Sequence, residues 1–386
     1  MLNTADDVLP IDINITYRYI NIMVKKIIKA KIVGLTNIKE KLLNQEYDNL
    51  QEFLQLKDAF WWDKNLGKNL YSANKQQASR FYRKINTNKE YPISARKDLI
   101  QVEKRNTKIT KYWFRIRVKG RRRFWVAIKP HQNIPDDVTF SESKILRRGK
   151  DFYVYLTIEK EVKIKKSYSN ILAIDFGVKW IATVCGLDNL RPKFYGRELR
   201  RIRGHYFHLR KKVAKKKIKQ YYKWISNEKE QRIVNDMIHK ISRDIVNQAK
   251  ETNSMIVFGK LKNIRKQNKG RRFNRKLNSF PYFKLAQYIR YKANWEGIKV
   301  VEVSEAYTSQ ICHKCGKKGI RNKGLFKCEC GLEDNSDRNG AINIGKRVLG
   351  QVSKIGVSVN IPRTEAVSIK IPIRNSVGDL RSHLTC

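Results

Sequence analysis

The apolar run Ile171–Ile174 and the carboxylate that follows it constrain the fold of this chain more than any other feature. The run leads directly into Asp175, and Gly177 supplies a turn signal two positions later. A short apolar run bounded by a turn is typical of a buried strand. Asp175 then lies at the carboxyl edge of that strand, where open α/β sheets build their sites. Taken alone, these residues favour a strand that merely ends in a polar turn, whereas the residues downstream favour a site.

The residues downstream of Asp175 alternate between helical and strand patterns. Apolar residues spaced by three and four predict helices, and short apolar runs predict buried strands. The predicted elements are, in order, the helix Gln231–Lys250, the strand Met255–Phe258, the helix Phe283–Trp295 and the strand Lys299–Val303. Such alternation indicates an α/β domain. We place this domain at residues 166–350 and leave residues 351–386 as a tail without an assigned function.

The first 165 residues differ in character from the rest. We predict a mostly helical region over about residues 1–90, because the apolar residues within Leu35–Leu56 fall at helical spacing. Residues from about 91 to 165 are β-rich and contain several short strands joined by polar turns, which indicates a small antiparallel sheet or barrel. The polar linker Lys163–Asn170 places a domain boundary near residue 165.

The net charge points to a polyanionic partner. The chain carries 83 Lys and Arg residues against 35 Asp and Glu residues, a formal charge of +48. Such a charge destabilises a compact fold unless a polyanion neutralises it. Because the basic residues are spread along the chain with aromatic residues among them, we expect nucleic acid rather than a membrane surface. The sequence has no apolar run long enough to span a membrane and no signal-peptide pattern.

Three basic stretches are candidates for contact with nucleic acid. The stretch Arg197–Lys223 holds twelve Lys or Arg residues and one acid, a pattern that suits a phosphate backbone. A solvated helix face is the alternative there, and for the β-rich stretch the alternative is a charged sheet face that blocks edge pairing. The candidate binding residues are Arg115, Arg117, Arg121, Arg122, Arg123, Arg200, Arg201, Arg203, Lys211, Lys212, Arg271 and Arg272.

Four of the six cysteines are clustered and predict a zinc knuckle over about residues 308–334. Cys312 and Cys315 form a C-x2-C pair, and Cys328 and Cys330 follow after twelve intervening residues. Four thiolates satisfy a tetrahedral zinc ion and leave no open position for water, so we predict that the zinc is structural. We expect His313 to be a bystander, although it is an alternative ligand. The pattern indicates a reducing compartment rather than a disulfide framework.

Asp337 follows the knuckle at the start of a predicted helix. An isolated Asp at such a position is most often a helix cap. Together with Asp175, however, it provides carboxylates that can hold the divalent metals used in phosphodiester cleavage.

The chain resembles the TnpB proteins, transposon-encoded RNA-guided nucleases related to type V CRISPR effectors. The resemblance is specific over about residues 170–347 and weaker before residue 165. It implies an α/β RNase H-like domain of the RuvC type with a zinc knuckle, preceded by a β-barrel wedge domain with a helical insert. The motifs that carry it are Ile174-Asp-Phe-Gly-Val-Lys179, Tyr307-Thr-Ser-Gln-Ile-Cys-His-Lys-Cys-Gly316, Cys328-Glu-Cys-Gly331 and Asp337-Arg-Asn-Gly-Ala-Ile-Asn-Ile344.

The resemblance also implies partners and a location. A guide RNA would pair with one strand of a target double-stranded DNA, and the protein would read a short flanking motif. In a prokaryotic host the protein would be cytoplasmic and associated with the nucleoid.

The family's catalytic carboxylates, an Asp, a Glu and an Asp that bind Mg²⁺, carry over incompletely. The first corresponds to Asp175 and the third to Asp337, but Gly259 stands where the family usually has its Glu. Glu305 is the best replacement because it follows a predicted strand. The segment Glu305-Ala-Tyr-Thr-Ser309 also resembles the Fanzor relatives, in which the Glu lies just before the Thr-Ser of the zinc motif. Glu302, inside that strand, is less well placed, and a solvated loop is the alternative role for Glu305.

Three functions follow from these features. The first is an RNA-guided DNA endonuclease, and the second is a nuclease-dead RNA-guided DNA-binding protein that occludes its target. The third, a DNA-strand transferase, ranks last because the sequence shows no nucleophilic Tyr beside a His-rich motif.

Overall fold

The computed structural model describes two compact units. The N-terminal unit comprises residues 23–161, and the C-terminal unit comprises the residues from 162 onward together with a short strand near the start of the chain. The described residues are 15–16, 21–57, 63, 65–86, 89–120, 122–216, 225, 228–260, 270, 274–275, 280–322 and 324–354. The domain boundaries drawn from the sequence stay predictions, and most of the tail lies outside the described residues.

The strands are β1 (Ile15–Thr16), β2 (Asn21–Val33), β3 (Ile93–Ala95), β4 (Val102–Lys104), β5 (Tyr112–Arg117), β6 (Arg123–Pro130), β7 (Thr139–Arg148), β8 (Asp151–Lys163), β9 (Ser167–Tyr168), β10 (Asn170–Asp175), β11 (Ala182–Gly186), β12 (Pro192–Tyr195), β13 (Ser254–Gly259), β14 (Val300–Val303), β15 (Ile320–Asn322), β16 (Leu325–Lys327) and β17 (Glu333–Asn335). The helices are α1 (Asn37–Leu56), α2 (Ser72–Phe81), α3 (Arg197–Lys215), α4 (Glu228–Glu251), α5 (Tyr282–Trp295) and α6 (Ser336–Lys354). No described helix is both long and apolar enough to cross a membrane.

The N-terminal unit is built on a seven-stranded sheet with the strand order β3-β7-β8-β2-β6-β5-β4. Strand β2 corrects the expectation of a mostly helical region over residues 1–90. Its buried residues alternate at Val24, Ile28, Ala30 and Ile32, and its β-branched residues suit a pleated, half-buried surface. The strand also pairs antiparallel with β6 over Ala30–Val33. Pairing with a distant strand therefore determines the structure of this segment. The helical prediction considered only the local sequence pattern.

The predicted helix within Leu35–Leu56 is present as α1. Its residues Leu43, Tyr47, Leu50 and Leu54 are buried at helical spacing, as the sequence pattern indicates. The ring of Tyr47 packs edge-on against Phe152 of β8, with 5.9 Å between ring centroids. This contact joins α1 to the sheet.

The C-terminal unit contains a five-stranded mixed sheet with the order β12-β11-β10-β13-β14. Strands β10, β13 and β14 are parallel, whereas β11 pairs antiparallel with β10, and β12 pairs antiparallel with β11 at the edge of the sheet. Every residue of β13 is buried, as expected for a parallel strand covered on both faces. The register pairs Ile174 with Phe258, and Gly259 with Val303, so the carboxyl ends of the three parallel strands meet at one edge.

Candidate active site and metal centre

Two of the predicted carboxylates lie at the carboxyl edge of the parallel strands. Asp175 is the last residue of β10, and Glu305 follows β14 by two residues. The alternative residue, Glu302, is exposed and pairs with Arg290. The structure therefore brings Glu305, rather than Glu302, to the edge that Asp175 occupies.

The side chain of Glu305 lies over Gly259. A Cβ atom built on Gly259 would be 2.6 Å from Glu305 Oε2 and 2.8 Å from Glu305 Cβ. Real Cβ atoms essentially never approach other heavy atoms so closely, so residue 259 has no room for a side chain while Glu305 keeps its position. A side chain at residue 259 and the side chain of Glu305 therefore cannot both occupy this volume.

The third carboxylate, Asp337, comes from the first turn of α6. The side chain of Asn335 caps this helix, because its Oδ1 accepts hydrogen bonds from the backbone N–H groups of Asp337 at 2.9 Å and Arg338 at 3.3 Å. The helix also approaches β10 closely. A Cβ atom built on Gly340 would lie 3.0 Å from Asp175 Oδ2. A helical glycine is destabilising by about 1 kcal/mol relative to alanine, and this close approach explains its presence.

The three carboxylates interact electrostatically. Burial, and after it the negative charges of Asp337 and Glu305, raise the pKa of Asp175 to about 8. Burial also raises the pKa of Glu305. Although part of the Asp175 side chain remains accessible, its carboxyl lies deep among protein atoms. Carboxyl groups held together against their mutual repulsion are a common property of functional sites.

Arg321 is a site residue that the sequence reading missed. It belongs to β15 of the knuckle, and its Nη2 lies 3.1 Å from Asp337 Oδ1. Its positive charge lowers the pKa of Asp175, opposing the effect of the neighbouring carboxylates. No pattern in the sequence singles out this arginine, because only the fold of the knuckle brings it to the carboxylates.

The four predicted cysteines of the knuckle form one cluster. One ligand atom from each of Cys312, Cys315, Cys328 and Cys330 lies within 4.8 Å of the others. The Sγ atoms of Cys312 and Cys330 are 3.7 Å apart, and those of Cys315 and Cys328 are 3.4 Å apart. Zinc–sulfur bonds of about 2.3 Å in a tetrahedron require sulfur atoms about 3.8 Å apart. The donor set and spacing therefore fit a tetrahedral metal such as zinc.

Tight turns and a second hydrogen-bond network support this cluster. Gly316 and Gly331 follow the two cysteine pairs with φ values of 74° and 84°, which favour glycine. His313 lies outside the thiol cluster, as expected. Its Nδ1 is 3.0 Å from Asn339 Oδ1, so it links the knuckle to α6.

The predicted basic residues of α3 serve two different roles. Arg203 forms an ion pair with the buried Glu230, at 3.2 Å between Nη1 and Oε1, and therefore ties α3 to α4. Arg200, Arg201, Lys211 and Lys212 are exposed. A cavity of about 790 Å³ opens at the start of α3, and its lining residues are Lys179, Trp180, Arg197, Glu198, Arg200 and Arg201. The arginines and the lysine of this cavity have no acidic partner within the described ranges.

The N-terminal unit presents a separate basic and aromatic face on β5 and β6. Arg117 pairs across the strands with Arg123, and Arg115 pairs with Trp125. The guanidinium of Arg105 lies 4.5 Å from the ring centroid of Trp125, and that of Arg115 lies 5.8 Å from it. Arg122 is exposed beside this face. Three further predicted binding residues, Arg121, Arg271 and Arg272, lie outside the described residues.

Comparison with known proteins identifies the family. Residues 282–344 match the family model of the Cas12f1-like TNB domain. The chain is 32% identical over 204 residues to the TnpB-like protein MJ0751 of Methanocaldococcus jannaschii, an alignment that covers 49% of this chain and 72% of that protein. The chain belongs to the TnpB family. This membership confirms the resemblance drawn from the motifs.

This TnpB-family chain is also similar to CRISPR-associated proteins. It is 28% identical over 243 residues to the CRISPR-associated endodeoxyribonuclease Cas12f2 of Micrarchaeota archaeon, covering 57% of this chain and 45% of that protein. The chain thus spans less than half the length of this relative. A solved Cas12f1–sgRNA–target DNA complex is similar in fold, with a TM-score of 0.54 and 17% identity over 80% of this chain and 82% of that one.

Proposed function

We propose that this TnpB-family protein is an RNA-guided DNA endonuclease whose catalytic residues are Asp175, Glu305 and Asp337. The observation that carries the proposal is the convergence of these carboxylates from three separate parts of the chain. Burial and the charges of the other two carboxylates raise the pKa of Asp175 to about 8. A site that holds acidic groups together in this way favours a bound divalent cation, because the cation neutralises their repulsion.

The three carboxylates offer the oxygen ligands that Mg²⁺ prefers. When bound there, Mg²⁺ would activate water and stabilise the leaving oxygen of a phosphodiester. The protein's own contribution is to hold the ligands in place through β10, the loop after β14 and α6. Arg321 contributes a positive charge beside Asp337, which suits contact with a substrate phosphate once the carboxylates are neutralised. In the knuckle, a structural zinc ion would be held by the four thiolates.

The finer architecture belongs to the same proposal. The mixed sheet with three parallel strands, β10, β13 and β14, supports a RuvC-like domain of the RNase H type. The seven-stranded sheet of the N-terminal unit, with α1 and α2 between its strands in the sequence, supports a wedge domain with a helical insert. We keep the domains drawn from the sequence, residues 1–165 and 166–350 with a tail at 351–386, with two differences: β1 groups with the C-terminal unit, and α6 continues to Lys354.

The proposed partners are a guide RNA and a matched double-stranded DNA. The relatives' names and the charge of +48 support them. We infer that the exposed arginines of the α3 cavity bind phosphates while Trp180 offers an aromatic surface to a base. The Arg105–Trp125–Arg115 stack is a second such surface in the N-terminal unit. Either surface binds through charge and stacking, so affinity should fall steeply with salt.

A second candidate function is guided DNA binding without cleavage. The observation that favours it is Gly259, which lacks the side chain that the family usually places at that position. The packing of Glu305 over Gly259 supports the first candidate, because it puts a carboxylate in the same volume.

The two candidates are separated by a cleavage assay. The protein would be purified with its bound RNA, the RNA sequenced, and a matched plasmid tested for binding and cutting with Mg²⁺. The endonuclease cuts the plasmid, and Glu305→Gln abolishes cutting while binding remains. Clear binding with an intact plasmid would support the second candidate instead, and the absence of any bound RNA would contradict both.

Moving the carboxylate provides a sharper control. Gly259→Glu alone should not improve cutting, because the new side chain collides with Glu305. Gly259→Glu combined with Glu305→Gly removes this collision and returns the carboxylate to the end of β13. Cutting by the double variant, but not by Glu305→Gly alone, would show that the two positions serve one role.

A further inference from the structure

Glu305 lies on a loop, and a loop places a side chain less accurately than a strand does. The family's usual position immediately after a strand, here Gly259, would be held by the sheet itself. Residue 305 lacks that support, because β14 ends two residues earlier at Val303. A carboxylate on this loop therefore needs another structural element to hold it.

Arg347 of α6 contacts the backbone on both sides of Glu305. Its Nη1 donates a hydrogen bond to the carbonyl oxygen of Ser304, and its Nη2 donates one to the carbonyl oxygen of Ala306. The planar guanidinium thus spans the residue between these two carbonyls, and hydrogen bonds from a charged donor are stronger than neutral ones. Among the described residues Arg347 has no acidic partner. Its guanidinium instead donates hydrogen bonds to the backbone of the loop.

The same face of α6 holds the rest of the loop. Asn343 Nδ2 donates to the carbonyl oxygens of Thr308 at 2.9 Å and Ile311 at 2.6 Å, and Asn339 Nδ2 donates to Ile311 at 2.8 Å. Asn339, Asn343 and Arg347 are spaced by four residues and therefore share one face of the helix. The first turn of this helix carries Asp337. One rigid element thus positions Asp337 directly and Glu305 through Arg347.

The loop between these anchors is strained. Tyr307 has a φ of 64°, in the left-handed region that a bulky residue rarely adopts, and its side chain is 68% exposed. The side chain therefore gains little burial to offset the strain. Strained residues persist where the surroundings over-determine the backbone, and such residues cluster at functional sites. The hydrogen bonds from Arg347 and Asn343 on either side of Tyr307 supply that constraint.

We propose that Arg347 is a positioning residue that holds Glu305 in place to bind the divalent metal. This inference rests on the proposed function, because it assigns Glu305 to the metal site. Arg347 donates to the backbone of the loop and not to the carboxylate of Glu305. Its loss should therefore weaken metal binding through Glu305 alone, and leave the zinc knuckle and nucleic-acid binding unchanged.

The test is a double-mutant cycle on the full-length protein, with Mn²⁺ affinity measured by electron paramagnetic resonance. Loss of a residue that orients a metal ligand typically weakens metal affinity by about 10–100-fold. We expect a loss in this range for Arg347→Ala and a partial loss for Arg347→Lys, since one ammonium cannot span both carbonyls. In a Glu305→Gln background, Arg347→Ala should cause no further loss. Arg243→Ala is the matched control, because Arg243 is a part-exposed arginine that pairs with Glu296.

The outcomes separate this proposal from a general effect on folding and from the proposed function. An equal loss of Mn²⁺ affinity in the wild-type and Glu305→Gln backgrounds would show that Arg347 does not act through Glu305. Unchanged affinity in Arg347→Ala would also overturn the proposal. Because the readout is metal affinity, it remains valid if the wild-type protein cuts no DNA. A wild-type protein that cuts no DNA would contradict the proposed nuclease function. The double-mutant cycle would still decide whether Arg347 positions Glu305.

Discussion

Replacing Asp175 with asparagine should stabilise the metal-free protein while abolishing its activity. The pKa of Asp175 is raised from 3.8 to about 8, chiefly by burial and then by Asp337 and Glu305. Ionising this carboxyl in the folded protein therefore opposes folding. Asparagine has nearly the same shape and carries no charge, so Asp175→Asn removes the repulsion without leaving a cavity.

The magnitude follows from the pKa shift. Complete conversion of that shift gives about 4 kcal/mol at pH 7. Because Asp175 as a whole residue is only half-buried, solvent screens part of this effect, and we expect about half of it, roughly 2 kcal/mol. For a unit of this size, each kcal/mol of added unfolding free energy raises the melting temperature by about 2–4 °C. The melting temperature of Asp175→Asn should therefore rise by about 4–8 °C.

The stabilisation by Asp175→Asn should depend on pH. Below about pH 4 the carboxyl is protonated in both the folded and the unfolded chain, so it does not affect stability. Between about pH 4 and pH 8 the unfolded chain loses this proton first, and the wild-type protein loses stability as the pH rises. Asp175→Asn escapes this loss, so its advantage should grow up to about pH 8 and then level off.

The assay is thermal unfolding at several pH values, in buffer without Mg²⁺ and with zinc retained. Asp236→Asn is the matched control, since Asp236 is exposed and forms an i,i+4 pair with Lys240, and it should change stability by less than about 0.5 kcal/mol. A variant that melts at or below the wild-type temperature at pH 8 would refute the reasoning. It would show that Asp175 is not held against the other carboxylates.

Four further substitutions test other parts of the structure. Gly259→Ala should reduce cleavage and stability because its Cβ collides with Glu305, whereas Gly204→Ala, at a helical position with open space, should stabilise α3 by about 0.5–1 kcal/mol, as measured by thermal unfolding. Cys315→Ser should lower the zinc content, measured by mass spectrometry, below the one ion per chain expected of the wild type. Arg200→Gln should reduce the salt dependence of nucleic-acid binding by about one unit of log–log slope, as measured by titration at several salt concentrations.

The sequence predicted most of the core of the C-terminal unit because periodicity alone reveals it. The strand at Met255–Phe258 and the helix at Gln231–Lys250 appear as β13 and α4. Strands β11 and β12 were not predicted, since β11 is stabilised by pairing to β10 and β12 by pairing to β11, and neither has a distinctive pattern. Strand β2 was misread as part of a helical region for the same reason.

The candidate site shows a similar division. The cysteine spacing was sufficient to predict the thiol cluster, because two close pairs of cysteines separated by a short loop are typical of a tetrahedral zinc site. The roles of Arg321 and Arg347 were not predictable, since both depend on contacts between segments that are distant in the sequence. The relation between Gly259 and Glu305 was predicted as a replacement of one carboxylate by another. The packing of the two residues into one volume became visible only in the fold.

The proposed divalent-metal site is tested most directly by anomalous diffraction from crystals of the full-length protein soaked with Mn²⁺. We expect manganese peaks in contact with the carboxylates of Asp175, Glu305 and Asp337. Manganese bound elsewhere, with Glu305 turned away from Asp175, would contradict the assignment of these three residues to one catalytic site.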